Sequence, residues 1–427
     1  MEVIRALGEQ TFSSLKIRNY RLYFFGIGFS HIGAWMQTVA LGWLVLELTG
    51  SGTLLGAMLA FRFAPVFFGG IFGGAIVDRF DKRTLLYATQ SLDALIALTL
   101  GVLVAYGAIE MWMVYLAAVL FGLTDVVDRP ARQTFIHEIV GPENLQNAVS
   151  LNSTEANLAR TLGPLFAGVF IASVGMAFCF FANALSFIIF IIFLTQMREK
   201  ELHREPSEGL GTNDILSGLR YVAGIPLIKT MLISMAIIGV FTYEFQTSLP
   251  LLARTTFFGD AADYAALLSA MGAGSVVGGL FSASRKAVGV HEFVLWAFLF
   301  GVSICVTAAM PTLGLATVAM GFVGFFSICL SSIANTMIQL ESASHMRGRV
   351  MSLWSMALFG STLVGAPFIG FVGEHASPRL ALAIGGVAAL AAALYANRQL
   401  LKGYEFFGIP ASISIRRDEV IVEDTKV

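Results

Sequence analysis

The sequence predicts an all-α membrane protein whose twelve transmembrane helices form two pseudo-symmetric six-helix bundles. The first observation is composition: 56% of the 427 residues are apolar and 13% are charged, whereas soluble domains carry about 25% charged residues. The second is a series of twelve apolar runs, and the third is a one-sided distribution of Lys and Arg. The composition alone excludes a soluble globular enzyme, a disordered protein and a nucleic-acid-binding protein.

Each apolar run is long enough to cross a bilayer, which requires about 20 residues in a helix. Aromatic residues such as Tyr106 and Trp112 fall at predicted span ends, where aromatic rings settle at the headgroup level. The short connections predict a compact bundle with little mass outside the membrane. The predicted spans are 22–46, 53–76, 85–106, 112–131, 147–172, 176–195, 227–251, 264–284, 291–309, 313–338, 350–373 and 380–400.

The positively charged residues predict the orientation of the chain. Of the 27 Lys and Arg residues, 23 fall on one side when termini and alternate loops are grouped together. Arg254 and Arg379 fall on the other side, and Arg62 and Arg160 lie inside spans. Because cytoplasmic loops carry the excess of Lys and Arg, we expect both termini in the cytoplasm, which requires an even number of spans.

The longest internal connection falls midway along the chain and is charged. It predicts a cytoplasmic linker with a short helix over 213–222, whose N-cap is Thr212 or Asn213. A linker at this place separates two bundles of equal helix number. The predicted units are an N-terminal bundle at 1–195, the linker at 196–226, a C-terminal bundle at 227–402 and a cytoplasmic tail at 403–427.

A shift of 202 residues aligns small and polar residues of the two predicted bundles. Gly163 then matches Gly365, and Gly168 matches Gly370. This self-similarity predicts a parallel duplication, in which an axis along the membrane normal relates the two bundles. Coincidence in a composition rich in small residues is the alternative interpretation.

The connection between spans 2 and 3 combines glycines with acidic and basic residues. A tight helix–loop–helix turn needs glycine where two backbones approach closely, and the basic residues can pair with carboxylates of neighbouring cytoplasmic loops. A positive-inside loop with no further role is the alternative. The residues expected to form a gating motif are Gly74, Asp78, Arg79, Lys82 and Arg83.

Residues 74–83 resemble the signature of the same loop in the major facilitator superfamily, Gly-x-Leu-Ala-Asp-Arg-x-Gly-Arg-Lys. Asp81 stands where that signature has its second glycine, which implies a different turn. The second half of the chain carries only a degenerate copy of this motif, around 278–286. The resemblance implies the major facilitator fold.

Predicted span 5 contains Gly163, Pro164 and Gly168. Pro164 removes one helical hydrogen bond, so we expect a bend at this point. This arrangement resembles the antiporter motif of exporters in the same superfamily. An ordinary proline of a membrane helix is the alternative, because Gly and Pro are common in such helices.

Three longer stretches, at 139–148, 218–222 and 346–353, are similar to one branch of the superfamily. That branch contains the enterobactin exporter and macrolide-efflux proteins. The resemblance extends from residue 15 to about residue 400. It implies a two-bundle secondary transporter that works by alternating access and is most often an exporter driven by proton influx.

Charged residues inside predicted spans are where we expect the transport mechanism, because each is costly in lipid unless it is paired or faces water. Our hypothesis is that the proton-carrying carboxylate is among Asp125 and Glu155, and that its charge partner is Arg62 or Arg160. Competition for the guanidinium group would make proton binding and substrate binding mutually exclusive. Permanent structural ion pairs are the alternative.

Helical periodicity and polarity predict the lining of a central cavity. Glu155 points about 140° away from Arg160 on a helix, so one of them faces neighbouring helices and the other faces the cavity. Glu244 is expected near the outer mouth of span 7, where it would attract cations. The polar residues expected along the cavity are His31, Gln37, Asn152, Asn157, Glu244 and Asn335.

The function expected from these features is proton-coupled export of small amphiphilic molecules, such as drugs, macrolides or siderophores. A proton-coupled uptake symporter of a small solute and a non-transporting membrane sensor are the alternatives. A membrane-embedded enzyme is set aside, because the sequence has neither a rhomboid-like Ser–His pair nor an HExxH helix. We expect a monomer in the bacterial inner membrane, whose partners are substrate, protons and lipid.

No metal or organic cofactor is expected, and the proton gradient is the expected energy source. The three cysteines have no metal-binding or redox spacing. Cys179, Cys305 and Cys329 fall inside apolar runs, where such residues act as small buried hydrophobic groups.

Overall fold

The computed structural model describes residues 13–203, 215–285, 289–343 and 346–400. The predicted tail at 403–427 lies outside them. Helices dominate the described residues, as the sequence predicts. The helices are α1 (Arg18–Thr49), α2 (Gly52–Arg79), α3 (Lys82–Ala105), α4 (111–140), α5 (142–173), α6 (Met176–Thr195), α7 (Ile215–Gly224), α8 (Pro226–Thr256), α9 (Ala261–Ser284), α10 (Val290–Ala309), α11 (Leu313–Glu341), α12 (Arg347–His375) and α13 (Pro378–Leu400).

α4 and α5 follow each other without a loop, in a helical stretch of 63 residues over Met111–Ser173. A single helix of that length would measure ~95 Å, about three times the hydrocarbon core of a bilayer. Gly141 interrupts it with φ 67° and ψ 176°, a backbone conformation that favours glycine. Eleven helical stretches of the described residues are long and apolar enough to cross a membrane. Because Gly141 divides one of them, they supply the twelve predicted spans.

α8 and α12 change their helical winding within the span. α8 stops at Phe241 and resumes at Phe245, and residues 356–360 of α12 form a turn of π-helix. The two irregular segments lie side by side, because a Cβ atom added at Gly239 would lie 2.4 Å from the carbonyl oxygen of Ala357. Such irregular turns concentrate at functional sites.

Each half of the molecule is held together by helix pairs that approach closely at a glycine. In the first half, Gly33 of α1 lies against the side chains of Asn183 and Ser186 in α6. In the second half, Gly324 of α11 lies against the backbone of Met271 in α9. Small residues allow this approach, which is the usual way that membrane helices gain packing energy.

The linker between the halves is attached to both of them. Asn19 and Arg198 exchange two hydrogen bonds of 2.9 Å between side chain and backbone, which fixes the start of the linker on α1. α7 is fixed to the second half, because the Ala343 amide donates to the hydroxyl of Tyr221 over 2.9 Å. The predicted N-cap of this helix, at 212 or 213, lies outside the described residues.

The two halves meet on the side of the bundle opposite the one where α1 begins and α13 ends. We call these two sides the opposite face and the termini face. α2 crosses α12 so closely that a Cβ atom at Gly56 would lie 2.2 Å from the carbonyl oxygen of Ala366. α5 contacts α9, where a Cβ atom at Gly168 would lie 3.0 Å from the Cβ of Ala265. The opposite face is therefore closed.

Polar side chains are exposed on the segments of α5 and α12 that lie nearer the termini face. They include Ser153 and Thr154 on α5 and Ser352 and Ser355 on α12. Polar residues inside a membrane span face the bundle interior or a water-filled cavity rather than lipid. The exposed hydroxyl groups therefore indicate an aqueous opening toward the termini face.

Candidate transport site

A chain of hydrogen-bonded charged residues crosses the first half. His31 of α1 lies between Glu155 of α5 and Arg132 of α4, with Nδ1 2.9 Å from a Glu155 carboxylate oxygen and Nε2 3.4 Å from Arg132 Nη1. Arg132 in turn donates to the Asp128 carboxylate. A neutral His31 that carries its proton on Nδ1 satisfies both contacts, because it donates to Glu155 and accepts from Arg132. We call Glu155, His31, Arg132 and Asp128 the buried relay.

The far end of the buried relay is held by α3. Asp128 accepts hydrogen bonds from Thr89 over 2.8 Å and from Gln90 over 2.7 Å. Glu155 and Asp128 are buried, whereas the side chain of His31 is 33% exposed. The relay therefore has one solvent-accessible member, and its imidazole can both donate and accept a hydrogen bond.

A second charged cluster lies beside the relay. Asp125 of α4 accepts from Arg62 of α2 over 3.3 Å and from Arg129 over 3.0 Å. Arg62 also lies over the ring of Phe121, with 5.1 Å to its centroid. Asp125 therefore has two guanidinium partners, and one of them, Arg62, is a charge partner suggested by the sequence.

Arg160 does not pair with either candidate carboxylate. Its guanidinium lies over the ring of Trp35, 5.3 Å from the centroid, and its Nε atom is buried without a hydrogen-bond partner. Glu155 is one and a half turns away on α5 and bonds to His31 instead. Glu155 therefore faces α1, whereas Arg160 lies over Trp35 and interacts electrostatically with Tyr243 of the second half.

The glycine of the antiporter-like motif positions the ring under Arg160. A Cβ atom at Gly163 would lie 2.4 Å from the Cβ of Trp35, so only glycine lets α1 and α5 come this close. Pro164 lies inside a helix whose backbone stays helical at this point. The proline removes one hydrogen bond from the preceding turn, and the bend expected there stays a prediction. Gly168, the third residue of the motif, lies at the contact between the halves.

The loop between α2 and α3 is held by its charged residues. The Asp81 side chain accepts from the Thr84 amide over 2.9 Å and so caps α3. Lys82 pairs with Glu138 of α4 over 3.2 Å, and Arg83 donates to the Leu194 carbonyl of α6 over 2.6 Å. Aspartate is a favoured N-cap, which explains how this residue replaces the glycine of the superfamily signature.

Other residues of this predicted gating motif have different positions. Asp78 is half-buried and Arg79 is exposed. No atom lies within 4 Å of a Cβ added at Gly74, whereas a Cβ at Gly73 would lie 2.0 Å from the carbonyl oxygen of Val126 in α4. The close approach of α2 to α4 is therefore made by Gly73, and not by Gly74 of the gating motif.

The polar residues expected along the cavity are dispersed. Gln37 is buried and accepts from Asn183 over 2.9 Å, between α1 and α6 of the first half. Asn152 accepts from the Tyr20 hydroxyl over 3.1 Å, and Asn157 donates to a carbonyl of its own helix. Gln37 thus belongs to the packed interior of the first half rather than to the cavity, because its amide group is satisfied there.

Two expected cavity residues lie in the second half. Asn335 accepts from Gln339 on the same face of α11. Glu244 lies at the break of α8, where it is 3% exposed. One of its carboxylate oxygens is buried without a partner. Glu244 is therefore buried against Gly365 of α12, and its predicted place near the outer mouth stays a prediction.

Helical spacing predicts that Arg132 shares one face of α4 with Asp125 and Asp128, at i, i+3 and i+7. Sequence reasoning missed the contact of Arg132 with His31 and the contributions of Trp35 and Tyr243. The aromatic pair carried no comparable signal, because nothing in a single sequence shows which ring a guanidinium will approach.

The closed opposite face is fastened by polar contacts between the halves. Glu374 at the end of α12 accepts from the Ser51 hydroxyl over 2.6 Å and from the Thr53 amide over 2.8 Å, at the start of α2. Arg254 of α8 donates to the carbonyl oxygen of Leu46 in α1. We call the contact of Glu374 with Ser51 and Thr53 the outer latch.

Comparison with solved structures agrees with this architecture. The structure is similar to that of a bacterial homologue of the human lysosomal transporter Spinster in an inward-facing and occupied conformation. The TM-score is 0.68 at 14% identity, over 90% of this chain and 97% of the other. At this identity the likeness concerns the fold.

Comparison with curated proteins finds transporters along most of the chain. The staphyloferrin A transporter of Staphylococcus aureus is 25% identical over 78% of this chain and 85% of its own. The multidrug efflux pump Tap of Mycolicibacterium fortuitum is 26% identical over 81% and 88%. The enterobactin exporter EntS of Shigella flexneri is 23% identical over 84% and 86%.

The family described as transmembrane secretion effectors matches residues 9–420, which is nearly the whole chain. The match and the relatives identify a transporter rather than an enzyme. The chain belongs to the transmembrane secretion effector family of the major facilitator superfamily.

Proposed function

We propose that the protein is a proton-coupled exporter, an antiporter that moves small amphiphilic molecules such as drugs, macrolides or siderophores out of the cytoplasm by alternating access. The observation that carries the proposal is the buried relay, a continuous path of titratable groups through one half, next to an opening on the termini face. The export direction is supported by the similarity to a multidrug efflux pump and to a siderophore exporter.

Glu155 is the better proton carrier of the two candidate carboxylates. Protonation of Asp125 would leave two guanidinium groups, those of Arg62 and Arg129, without their counter-ion inside the membrane. Protonation of Glu155 leaves only a hydrogen bond to His31 to rearrange. Since an uncompensated charge in the membrane is costly, the proton is better accommodated at Glu155.

His31 connects this carboxylate to water. A proton from the opening would bind Nε2 in place of the 3.4 Å contact with Arg132, and Nδ1 would pass its own proton to Glu155, which leaves His31 neutral with its proton on Nε2. The fixed pair of Arg132 and Asp128 keeps the imidazole oriented. In the opposite direction, loss of the proton from Glu155 restores the hydrogen bond to His31 and resets the site for cargo.

The proposed location is the bacterial inner membrane, with the termini face in the cytoplasm. The excess of Lys and Arg, 23 of 27, on the side of the termini supports this orientation. The proposed moving bodies are the two predicted bundles at 1–195 and 227–402, joined by the linker. Arg198 attaches the linker to the first body and Tyr221 attaches it to the second.

The proposal is tested in inside-out membrane vesicles with labelled erythromycin, ethidium and a metal-free catecholate siderophore as cargo. We expect uptake of at least one cargo that collapses when the pH gradient is dissipated. Glu155→Gln should abolish the dependence on the gradient but retain exchange of labelled for unlabelled cargo, whereas Asp125→Asn should impair both. Glu110→Gln, an exposed carboxylate outside the site, is the matched control.

Two results would contradict the proposal. One is a wild-type dependence on the pH gradient in both Asp125→Asn and Glu155→Gln. The other is accumulation of cargo in intact cells rather than in inside-out vesicles, which would indicate an uptake symporter.

A further inference from the structure

Arg160 is a charge without a counter-charge at the junction of the two halves. Within the described ranges, no carboxylate lies within ion-pair distance of its guanidinium, and its Nε atom is buried without a partner. The other arginines deep in the first half, Arg62 and Arg132, each have an aspartate partner. An uncompensated guanidinium inside a membrane span marks a functional site, and the natural complement of that site is an anion.

The surroundings of Arg160 determine the kind of anion. On one side the guanidinium lies over Trp35 of α1, at 5.3 Å. Tyr243 of the second half interacts electrostatically with the guanidinium, and its hydroxyl accepts a hydrogen bond from the Ser327 hydroxyl of α11 over 3.2 Å. The guanidinium thus lies over an indole ring of the first half and within electrostatic range of a phenol of the second. Guanidinium groups recognise carboxylates by two parallel hydrogen bonds and also stack on aromatic rings, so a carboxylate attached to an apolar or aromatic body fits these surroundings.

The backbone geometry keeps this arrangement in place. Gly163 lies one turn after Arg160 and lets Trp35 approach α5. Gly272 of α9 lies against Arg160 from the second half, where a Cβ atom would be 2.9 Å from the Arg160 carbonyl oxygen. Helices of both halves thus converge at this residue, and an anion bound here would contact both bodies that move during transport.

We propose that Arg160, Trp35 and Tyr243 form an anion subsite of the cargo cavity, and that the cargo is an acidic amphiphile whose carboxylate binds Arg160. The inference rests on the proposed function, because it takes the space between the halves as the cargo cavity. It narrows the substrate class, since cationic drugs would be repelled by an uncompensated guanidinium. A carboxylate held at Arg160 would also supply the missing counter-charge and shield Arg160 while the halves move.

The test is equilibrium binding to the purified full-length protein in lipid nanodiscs, with no pH gradient. The probes are dansylglycine, which is an acid, and dansylglycinamide, its neutral counterpart. We expect the wild-type protein to bind the acid about tenfold to a hundredfold more tightly, the range that a hydrogen-bonded charge pair provides. Arg160→Gln should lower the affinity for the acid to that for the amide. The affinity for the amide should stay unchanged, which also shows that the variant is folded.

Two further variants locate the effect. Arg379→Gln removes a guanidinium that also lies over a ring, that of Phe257 at 5.5 Å, far from the subsite, and it should not change the preference for the acid. At a saturating concentration of the acid, Trp35→Phe should reduce energy transfer from tryptophan to the bound dansyl group, because Trp35 lies under the Arg160 guanidinium. Arg160→Lys should retain part of the preference, because the charge remains but the bidentate geometry is lost.

The inference is overturned if the wild-type protein binds acid and amide equally, if Arg160→Gln weakens both probes alike, or if Arg379→Gln abolishes the preference. Because no gradient is present, failure of proton coupling leaves this result unchanged. A protein that exports neutral cargo with proton coupling but shows no acid preference would refute the anion subsite and leave the proposed antiport intact.

Discussion

Removal of the outer latch should open the opposite face. The latch joins the halves through a Glu374 carboxylate oxygen, which accepts from Ser51 over 2.6 Å and from Thr53 over 2.8 Å. A hydrogen bond to a charged group contributes about 1.5–3 kcal/mol when it is buried. Glu374 is exposed, and exposed charge interactions are worth only ~0–1 kcal/mol each. We therefore assign the whole latch ~1–2 kcal/mol, a factor of about 5–30 in an equilibrium constant.

Glu374→Ala should shift the equilibrium between closed and open opposite faces toward the open state by this factor, because both hydrogen bonds cross the interface between the halves. Glu374→Gln should have a smaller effect, since its amide oxygen still accepts from the same two donors. The measurement is the distance distribution between spin labels at Val174 in the first half and Pro311 in the second, both exposed on the opposite face. The three native cysteines are replaced beforehand.

The matched control is Glu110→Ala. Glu110 is an exposed carboxylate on the same face that accepts from Trp112 over 2.8 Å, within the first half only. Its removal should leave the distance distribution unchanged. The reasoning is refuted if Glu374→Ala leaves the population of long distances as in the wild-type protein, or if Glu110→Ala raises it equally.

Three further predictions concern glycine contacts and an ion pair. Gly56→Leu should prevent closure of the opposite face, because even a Cβ atom at this position would lie 2.2 Å from a backbone carbonyl oxygen of α12. Cysteine labelling from the opposite face should therefore become faster. Gly50→Leu is unsuitable as a control, because the φ angle of Gly50 is positive. Gly163→Ala should displace Trp35 and lower the melting temperature, since overpacking costs about 1–3 kcal/mol; an unchanged melting temperature and dansylglycine affinity would contradict the close contact of α1 with α5. Lys82→Met should destabilise the first half by about 1–3 kcal/mol, the cost of leaving a polar group such as the buried Glu138 carboxylate unpaired. The double variant with Glu138→Gln should recover most of that loss in denaturant unfolding.

Much of the fold follows from the sequence for simple physical reasons. Hydropathy over about 20 residues identifies spans, since lipid offers the backbone no hydrogen bonds. The depth of a residue follows from its count along the helix, which already brings His31 and Glu155 to one level in parallel spans. The pairing of Asp125 with Arg129 also follows from local spacing, because residues four apart share a helix face.

The partners between helices could not be predicted in the same way. Helical periodicity gives the direction of a side chain relative to its own helix but not the identity of the neighbour in that direction. Arg160 was therefore expected beside a carboxylate, whereas it lies over Trp35. The register of α2 against α4 could not be predicted either, so the sequence does not show that Gly73, and not Gly74 of the gating motif, makes the close contact. Such one-residue differences depend on tertiary packing.

The irregular helical winding within individual spans could not be predicted from the sequence either. Glu244 lies at the break before Phe245 and is buried. Pro164, by contrast, was expected to bend α5 and does not interrupt its helix. A proline creates only one missing hydrogen bond, and packing against neighbouring helices decides whether the chain bends there.

The exchange of protons for cargo is tested most directly by following both at once in liposomes that contain the purified protein and a trapped pH indicator. Labelled cargo identified in the vesicle screen is added outside, with no gradient imposed. An antiporter predicts that cargo enters while the lumen becomes more alkaline, and that Glu155→Gln abolishes the pH change. Acidification of the lumen, or cargo movement without any pH change, would contradict it.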